Sequence, residues 1–315
     1  MPTQPSIGAR IAPYSLFIIL IVEYLVFAAF RPDLFFSGNA INIILSSQAP
    51  LMIVTLAVTL TLIVGEFDMT IGTNFIFANV LVAALTANLH LPLALAVLIA
   101  LAASTLVGLI NALLVVHLGI NSFIATLGIS TLLVGITFWA AGSTIISSIP
   151  PELKLFAASR FLGLPMTVYY AFIVALILWF VYRFRPAGRQ LYFIGSNEQV
   201  ARLAGVRTKR LKTGAFVFSG FIIGFAGLLQ AGTVGSADPT AGMSFTLPAF
   251  AAAFLGTTAI QVGKFNIWGA VVGSLLLFTG ITGLSLLGFT GWVQDLFNGF
   301  ALTIALVASR LTRKG

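Results

Sequence analysis

The sequence predicts an all-α polytopic membrane protein with about ten transmembrane helices. Three observations carry this expectation. The chain of 315 residues is 59% hydrophobic and only 8% charged, against roughly 25% charged residues in soluble domains. Its mean hydropathy is +1.08. Apolar runs near the ~20 residues that cross a hydrocarbon core recur along the chain, punctuated by Gly, Pro, Asn or charge.

The first run, 11–30, exceeds the ~7–15-residue apolar core of a cleaved signal peptide and reads as the first span. The others fall at 43–64, 71–88, 91–116, 122–141, 164–182, 213–232, 247–262, 267–286 and 290–309. Only Gly263-Lys264-Phe265-Asn266 separates the eighth from the ninth. A re-entrant segment near Asn39 or Asn121 is the alternative that changes the count.

Charge placement tests this plan. The net charge is +8. With the N-terminus inside, thirteen of the sixteen basic residues fall in inside segments: Arg10, eight between Arg183 and Lys212, Lys264, Arg310, Arg313 and Lys314. Outside lie Arg31, Lys154 and Arg160. Such a bias sets orientation, with both termini cytoplasmic, and gives no reason to expect nucleic-acid binding. Gly220-x-x-x-Gly224 and Gly269-x-x-x-Gly273 are close-packing signals.

The spans contain a faint repeat. Asp68-Met-Thr-Ile-Gly72 and Asp238-Pro-Thr-Ala-Gly242 share D-x-T-x-G at an offset of 170. That offset relates helices 2–5 to helices 7–10, five spans apart and therefore opposite in direction. An inverted-topology repeat is a transporter plan with its pathway at the repeat interface.

Catalytic constellations are missing. There is no cysteine, hence no disulfide, thiolate or Cys-based metal site. His90 and His117 fall at opposite membrane faces, so no metal site is expected. Neither a G-x-S-x-G elbow nor a G-x-x-x-x-G-K-[ST] phosphate loop occurs. A membrane-embedded enzyme is disfavoured, and any ATP must be bound by another chain. Glu23, well inside the first span, is the clearest intramembrane ionisable candidate.

Two polar stretches stand out. In Arg183–Lys212, Glu198 is the only acid among eight bases. Within it, SNEQVARLAG reads as a short helix near 196–205. Ser196 and Gln199 fit a capping box, and Gly205 fits the position just past a helix end. Val200, Leu203 and Ala204 share one face, while Glu198 and Arg202 lie on another; Thr208 can cap the seventh span. A basic loop on anionic lipid explains the charge, but a capped amphipathic helix fits a docking element for a cytoplasmic partner. The second stretch, GEFDMTIG at 65–72, breaks the chain between the second and third spans. Asp68 can accept from free N–H groups at the third helix start. Glu66 either salt-bridges a basic loop residue or lines the cytoplasmic exit.

At the loop the chain becomes recognisable. Ile194-Gly-Ser-Asn-Glu-Gln-Val-Ala-Arg-Leu-Ala-Gly-Val206 resembles the cytoplasmic-loop motif of permease subunits of ribose-type sugar ABC importers. GEFDMTIGT resembles that family's G-G-x-D-L-S-x-G-S segment, and Phe123-Ile-Ala-Thr-Leu-Gly128 its F-I-x-T-L-G segment. Gly256 to Gly269 resembles its L-G-G…G-G-x-G stretch. Departures are Glu66 and Phe67 for the commoner Gly and apolar residue, Thr246-Leu-Pro, and Thr257-Thr258 within the glycine pair. They bear on which solute is carried more than on mechanism.

The resemblance implies a single permease domain, 1–315, in the bacterial cytoplasmic (inner) membrane, moving a sugar or related polar solute by alternating access. It implies a second permease copy, an extracytoplasmic solute-binding protein and a cytoplasmic ABC ATPase that holds ATP and Mg, with no cofactor on this chain. Residues 194–206 would then be the coupling helix, with Asn197, Glu198, Arg202, Leu203 and Gly205 as ATPase-coupling residues. Pathway or gate candidates are Glu66, Asp68, Thr70, Asn74 and Thr126. The alternatives are a permease for amino acids or a sugar-like signalling molecule, and a stand-alone channel or secondary carrier.

If Asp68 shapes the helix start through its acceptor oxygen, Asp68→Asn retains most transport and Asp68→Ala loses expression or transport. Equal uptake by the two variants contradicts that role.

Overall fold

The computed structural model describes residues 12–35, 39–289 and 291–312. Arg10, Arg313 and Lys314, used in the charge assignment, lie outside them. The helices are α1 (Ser15–Phe30), α2 (Pro32–Phe35), α3 (Asn39–Ile63), α4 (Ile71–Ala87), α5 (Leu93–Ala112) and α6 (Ser122–Ala141). Then come α7 (Pro151–Ala158), α8 (Met166–Phe184), α9 (Pro186–Ser196), α10 (Glu198–Leu203) and α11 (Thr208–Val234). The last three are α12 (Thr246–Gly256), α13 (Ile267–Leu286) and α14 (Trp292–Thr312). Strands among the described residues are the two-residue pair β1 (Arg160–Phe161) and β2 (Leu164–Pro165). The protein is therefore all-α and polytopic, as the composition predicts. Among the described residues, five helices are long and apolar enough to cross a membrane: α5 with its five-residue extension to His117, α6, α8, α11 and α13.

The chain forms two compact units, residues 49–246 and residues 1–48 with 247–315. In the first, α11 packs against α4, α5 and α7. Glycine permits the approach. A Cβ on Gly108 would strike the Phe216 carbonyl; one on Gly220 would strike that of Ser104; one on Gly227 would strike that of Phe75. Gly224 likewise sits against Ser104, so the predicted Gly220-x-x-x-Gly224 signal is a packing seam. Burial of apolar side chains drives little association in lipid, so close backbone contact and interhelical hydrogen bonds supply it. Ser104 Oγ lies 2.8 Å from Gly220 O and 2.9 Å from Asn74 Oδ1, tying α4, α5 and α11 at one level.

In the second unit α13 packs along α1, with Gly283 against the Phe27 ring. Gly256 and Gly269 meet backbone to backbone, as do Gly273 and Ala252. The eighth span departs from expectation. α12 stops at Gly256, and its 11 residues rise about 16 Å, roughly half a hydrocarbon core. The stop has a visible cause. Asn266 accepts from Gly269 N at 2.7 Å to cap α13. The same side chain donates to the carbonyls of Gly256 and Ala259, each at 3.2 Å. Those carbonyls are thereby satisfied without another turn of helix.

Two further elements were not expected. α7 begins at Pro150-Pro151, with Pro at its first position, and α9 begins at Pro186. Proline suits a helix's first turn because the N–H it lacks would be unpaired there.

Substituting Gly108→Val forces a branched side chain into a backbone carbonyl, at a cost above the usual 1–3 kcal/mol of overpacking. It should abolish the monodisperse peak in fluorescence-detected size-exclusion chromatography. Gly128→Ala, with nothing within 4 Å of the added carbon, should match or exceed the wild-type melting temperature, because alanine favours helix.

Candidate functional site

Between α3 and α4 the chain leaves helical geometry over residues 64–70. Gly65, at φ +83°, makes the turn. The freed backbone groups find partners: Glu66 N donates to Thr61 O at 2.9 Å, Phe67 N to Ser122 Oγ at 3.2 Å, and Met69 N to Thr126 Oγ1 at 2.9 Å. At the centre, Asp68 Oδ1 accepts from Thr70 N at 3.0 Å, from Thr70 Oγ1 at 2.6 Å and from Asn111 Nδ2 at 3.2 Å. One oxygen thus ties the start of α4 to α5. The expected acceptor role is met through Thr70 as a two-residue turn, since Thr70 rather than Asp68 occupies the cap position.

Asp68, Thr70, Asn74 and Thr126 are at most 1% exposed. Each is engaged in hydrogen bonds within the α4–α5–α6 body. Glu66 sits apart from them, at the edge of the break. The second D-x-T-x-G motif repeats the turn: Asp238 Oδ1 accepts from Thr240 N at 2.8 Å and from Thr240 Oγ1 at 2.7 Å. Its glycine meets that of the first motif. A Cβ on Gly72 would strike Gly242 O, and one on Gly242 would lie 3.3 Å from Thr73 Cα. The rings of Phe75 and Phe245 are 4.9 Å apart beside this contact.

In the basic loop, α9 runs through Ser196, whose Oγ bonds back to Tyr192 O. Ser196 is helical and cannot be the N-cap, so the expected capping box is not formed. Asn197 is the first extended residue, and its Oδ1 accepts from Val200 N at 3.0 Å. Gly205, at φ +81°, ends α10 as expected, with Val206 N donating to Ala201 O at 3.0 Å. Thr208 lies inside α11 and makes no cap bond; Arg207 holds that position. Asn197, Glu198, Arg202, Leu203 and Gly205 are all exposed, Leu203 at 89%. Ala201 alone turns inward from α10.

One residue that the sequence reading missed joins the two stretches. Lys212, on the first turns of α11, is 7% exposed. Its Nζ pairs with Glu66 Oε1 and, at 2.8 Å, with Glu198 Oε2. Of the two roles left open for Glu66, the salt bridge to a basic loop residue is formed. Lys212 lies three, four and seven residues before the buried Ala215, Phe216 and Ser219. A lysine on a helix's buried face is the signal that could have marked it. Glu23 stands elsewhere: its Oε1 lies against Gly280, and its Oε2 is buried with no hydrogen-bond partner among the described residues. No cluster of three or more potential metal-ligating side chains occurs among the described residues.

The sequence comparisons fit this picture. The family described as branched-chain amino acid transport system / permease component matches residues 40–306. The chain belongs to this permease family. It is 29% identical to the ribose import permease protein RbsC of Haemophilus influenzae, covering 96% of this chain and 94% of that one. It is also 29% identical to the D-allose transport system permease protein AlsC of Escherichia coli, at 96% and 92% coverage. The fructose import permease protein FrcC of Rhizobium meliloti is 28% identical, at 94% and 85%. No solved structure gives a significant match. The resemblance to sugar ABC permeases stated from the motifs thus extends over nearly the whole length of this multi-pass permease.

Thr70→Val removes a donor from a buried carboxylate, a loss of about 1–3 kcal/mol. Thr240→Val alters the equivalent turn where the threonine is exposed, and water replaces the lost bond. The permease's melting temperature in detergent should fall clearly more for Thr70→Val than for Thr240→Val; equal losses would contradict this ranking.

Proposed function

We propose that this permease is the membrane subunit of an ATP-driven importer that carries a sugar or related polar solute into the cytoplasm by alternating access. The observation that carries the reading is α10. It is a short helix with a side-chain cap at one end and a glycine stop at the other, and it presents Val200 and Leu203 outward. A topology-setting basic loop needs neither the caps nor an exposed leucine. A groove on a partner protein uses both.

The named substrates of the relatives, ribose, allose and fructose, support a sugar as solute. The sequence holds no phosphate loop, so ATP and Mg belong to a separate cytoplasmic ATPase. An extracytoplasmic binding protein supplies the solute, and a second permease copy completes the membrane unit. Contacts within residues 49–246 support the proposed sidedness. The loop at 64–70 meets Ser122, Glu198 through Lys212, and Gly195, all assigned inside. The bridge between Ile146 and Ala237 joins two loops assigned outside. Both termini are then cytoplasmic and the protein resides in the inner membrane.

The break at 64–70 and the 3-10 segment Pro239–Phe245 enter from opposite sides in this scheme and touch at Gly72 and Gly242. Irregular backbone at membrane depth is tolerated only where protein buries it or a cavity solvates it. Their junction is the hinge and gate region of the proposed cycle, with Asp68 holding its shape.

Affinity purification of the tagged permease from native membranes, with mass spectrometry, tests the assembly. Wild type should bring an ATPase and a solute-binding protein, and Glu198→Ala/Arg202→Ala should lose the ATPase. Wild type without any ATPase would favour a self-sufficient channel or carrier.

A further inference from the structure

The coupling reading leaves open how a push on α10 reaches the gate. We propose that Lys212 is the positioning residue that carries it, locking α10 and the 64–70 break into one rigid body. The proposal rests on the importer reading above.

Three independent contacts converge. The Lys212 ammonium bonds Glu198, the first residue of α10, at 2.8 Å, and bonds Glu66 in the break. Behind it, Gly195 near the end of α9 sits so close to the Ile63 carbonyl that a Cβ could not be accommodated. On the far side of the break, Phe67 and Met69 are held by Ser122 and Thr126, and Asp68 by Thr70 and Asn111. Displacement of Glu198 therefore pulls on Glu66 through one shared cation, while the backbone contact at Gly195 resists collapse.

The chemistry suits the task. Lysine offers three donors on one compact charge, enough for two carboxylates that would otherwise repel each other. The cation is nearly excluded from water, and of its two partners Glu66 is the less exposed, so that bond is the better shielded from the solvent competition that weakens surface pairs. Neutral side chains could fill the space but could not hold two elements contributed by segments 132 residues apart, from Glu66 to Glu198.

The chain has no cysteine, which allows site-specific spin labels. Cysteines placed at Phe67 and Gln199, both exposed, report the break and α10. In the purified complex, wild type should show one narrow distance, the same without nucleotide and with ATP and vanadate. Lys212→Met should broaden that distance and lower ATP-dependent uptake about tenfold, a coupling loss typical of such links, while the ATPase still co-purifies. Lys212→Arg should restore both. Should Lys212→Met fold poorly because two carboxylates are left together, Lys212→Met/Glu66→Gln removes the excess charge and should show the same broadening. A wild-type distance that changes between nucleotide states, or an unchanged distance and uptake in the neutral variants, overturns the proposal. Wild type that binds no ATPase overturns the importer reading instead, and the distance in the permease alone then still tests the lock.

Discussion

A helix that stops frees backbone donors that must be paired where protein buries them, and the junction between α3 and α4 is governed by that constraint. Seven residues leave helical geometry there, and each exposed donor must find protein. The solution centres on a single carboxylate oxygen. Asp68 Oδ1 gathers the N–H and hydroxyl of Thr70 and the amide of Asn111, while Ser122 and Thr126 take the N–H groups on either side. Without that set, the break would be a line of unpaired polar groups. With it, α4, α5 and α6 meet at a fixed point.

The surrounding body is closely packed. Glycines on α5 and α11 put backbones in contact, so neither helix can shift without moving the other. α10 exposes the apolar Val200 and Leu203, while its first residue, Glu198, pairs with Lys212. One side of a two-turn helix is thus available to a partner while the other is anchored to the break. A partner docked on α10 would touch a helix already joined to the 64–70 break through Lys212.

Much of this was legible in the residues. Apolar runs marked membrane helices because lipid imposes a length rule that a single sequence displays. D-x-T-x-G at 68–72 and 238–242 was legible as a repeat because an Asp–Thr turn is local chemistry, and both copies form it. Gly205 was legible because a left-handed helix stop favours glycine. Long-range pairing was not. Nothing near Lys212 in sequence announces Glu66, 146 residues earlier, and only its place on the buried face of α11 hinted at a partner. The early end of α12 was hidden for a similar reason: Asn266, ten residues on, takes the carbonyls that would have continued the helix. Ser196 misled because α9 already occupied it, and a preceding helix is not visible from a capping pattern alone.

The proposed function requires that this permease move solute only when a cytoplasmic ATPase drives it. Uptake into proteoliposomes tests that most directly, using the permease with and without its co-purified partners and a solute retained by the binding protein. The account predicts uptake only when ATP, the ATPase and the loaded binding protein are all present, and no flux through the permease alone. Saturable flux through the permease alone, unchanged by ATP, would contradict it.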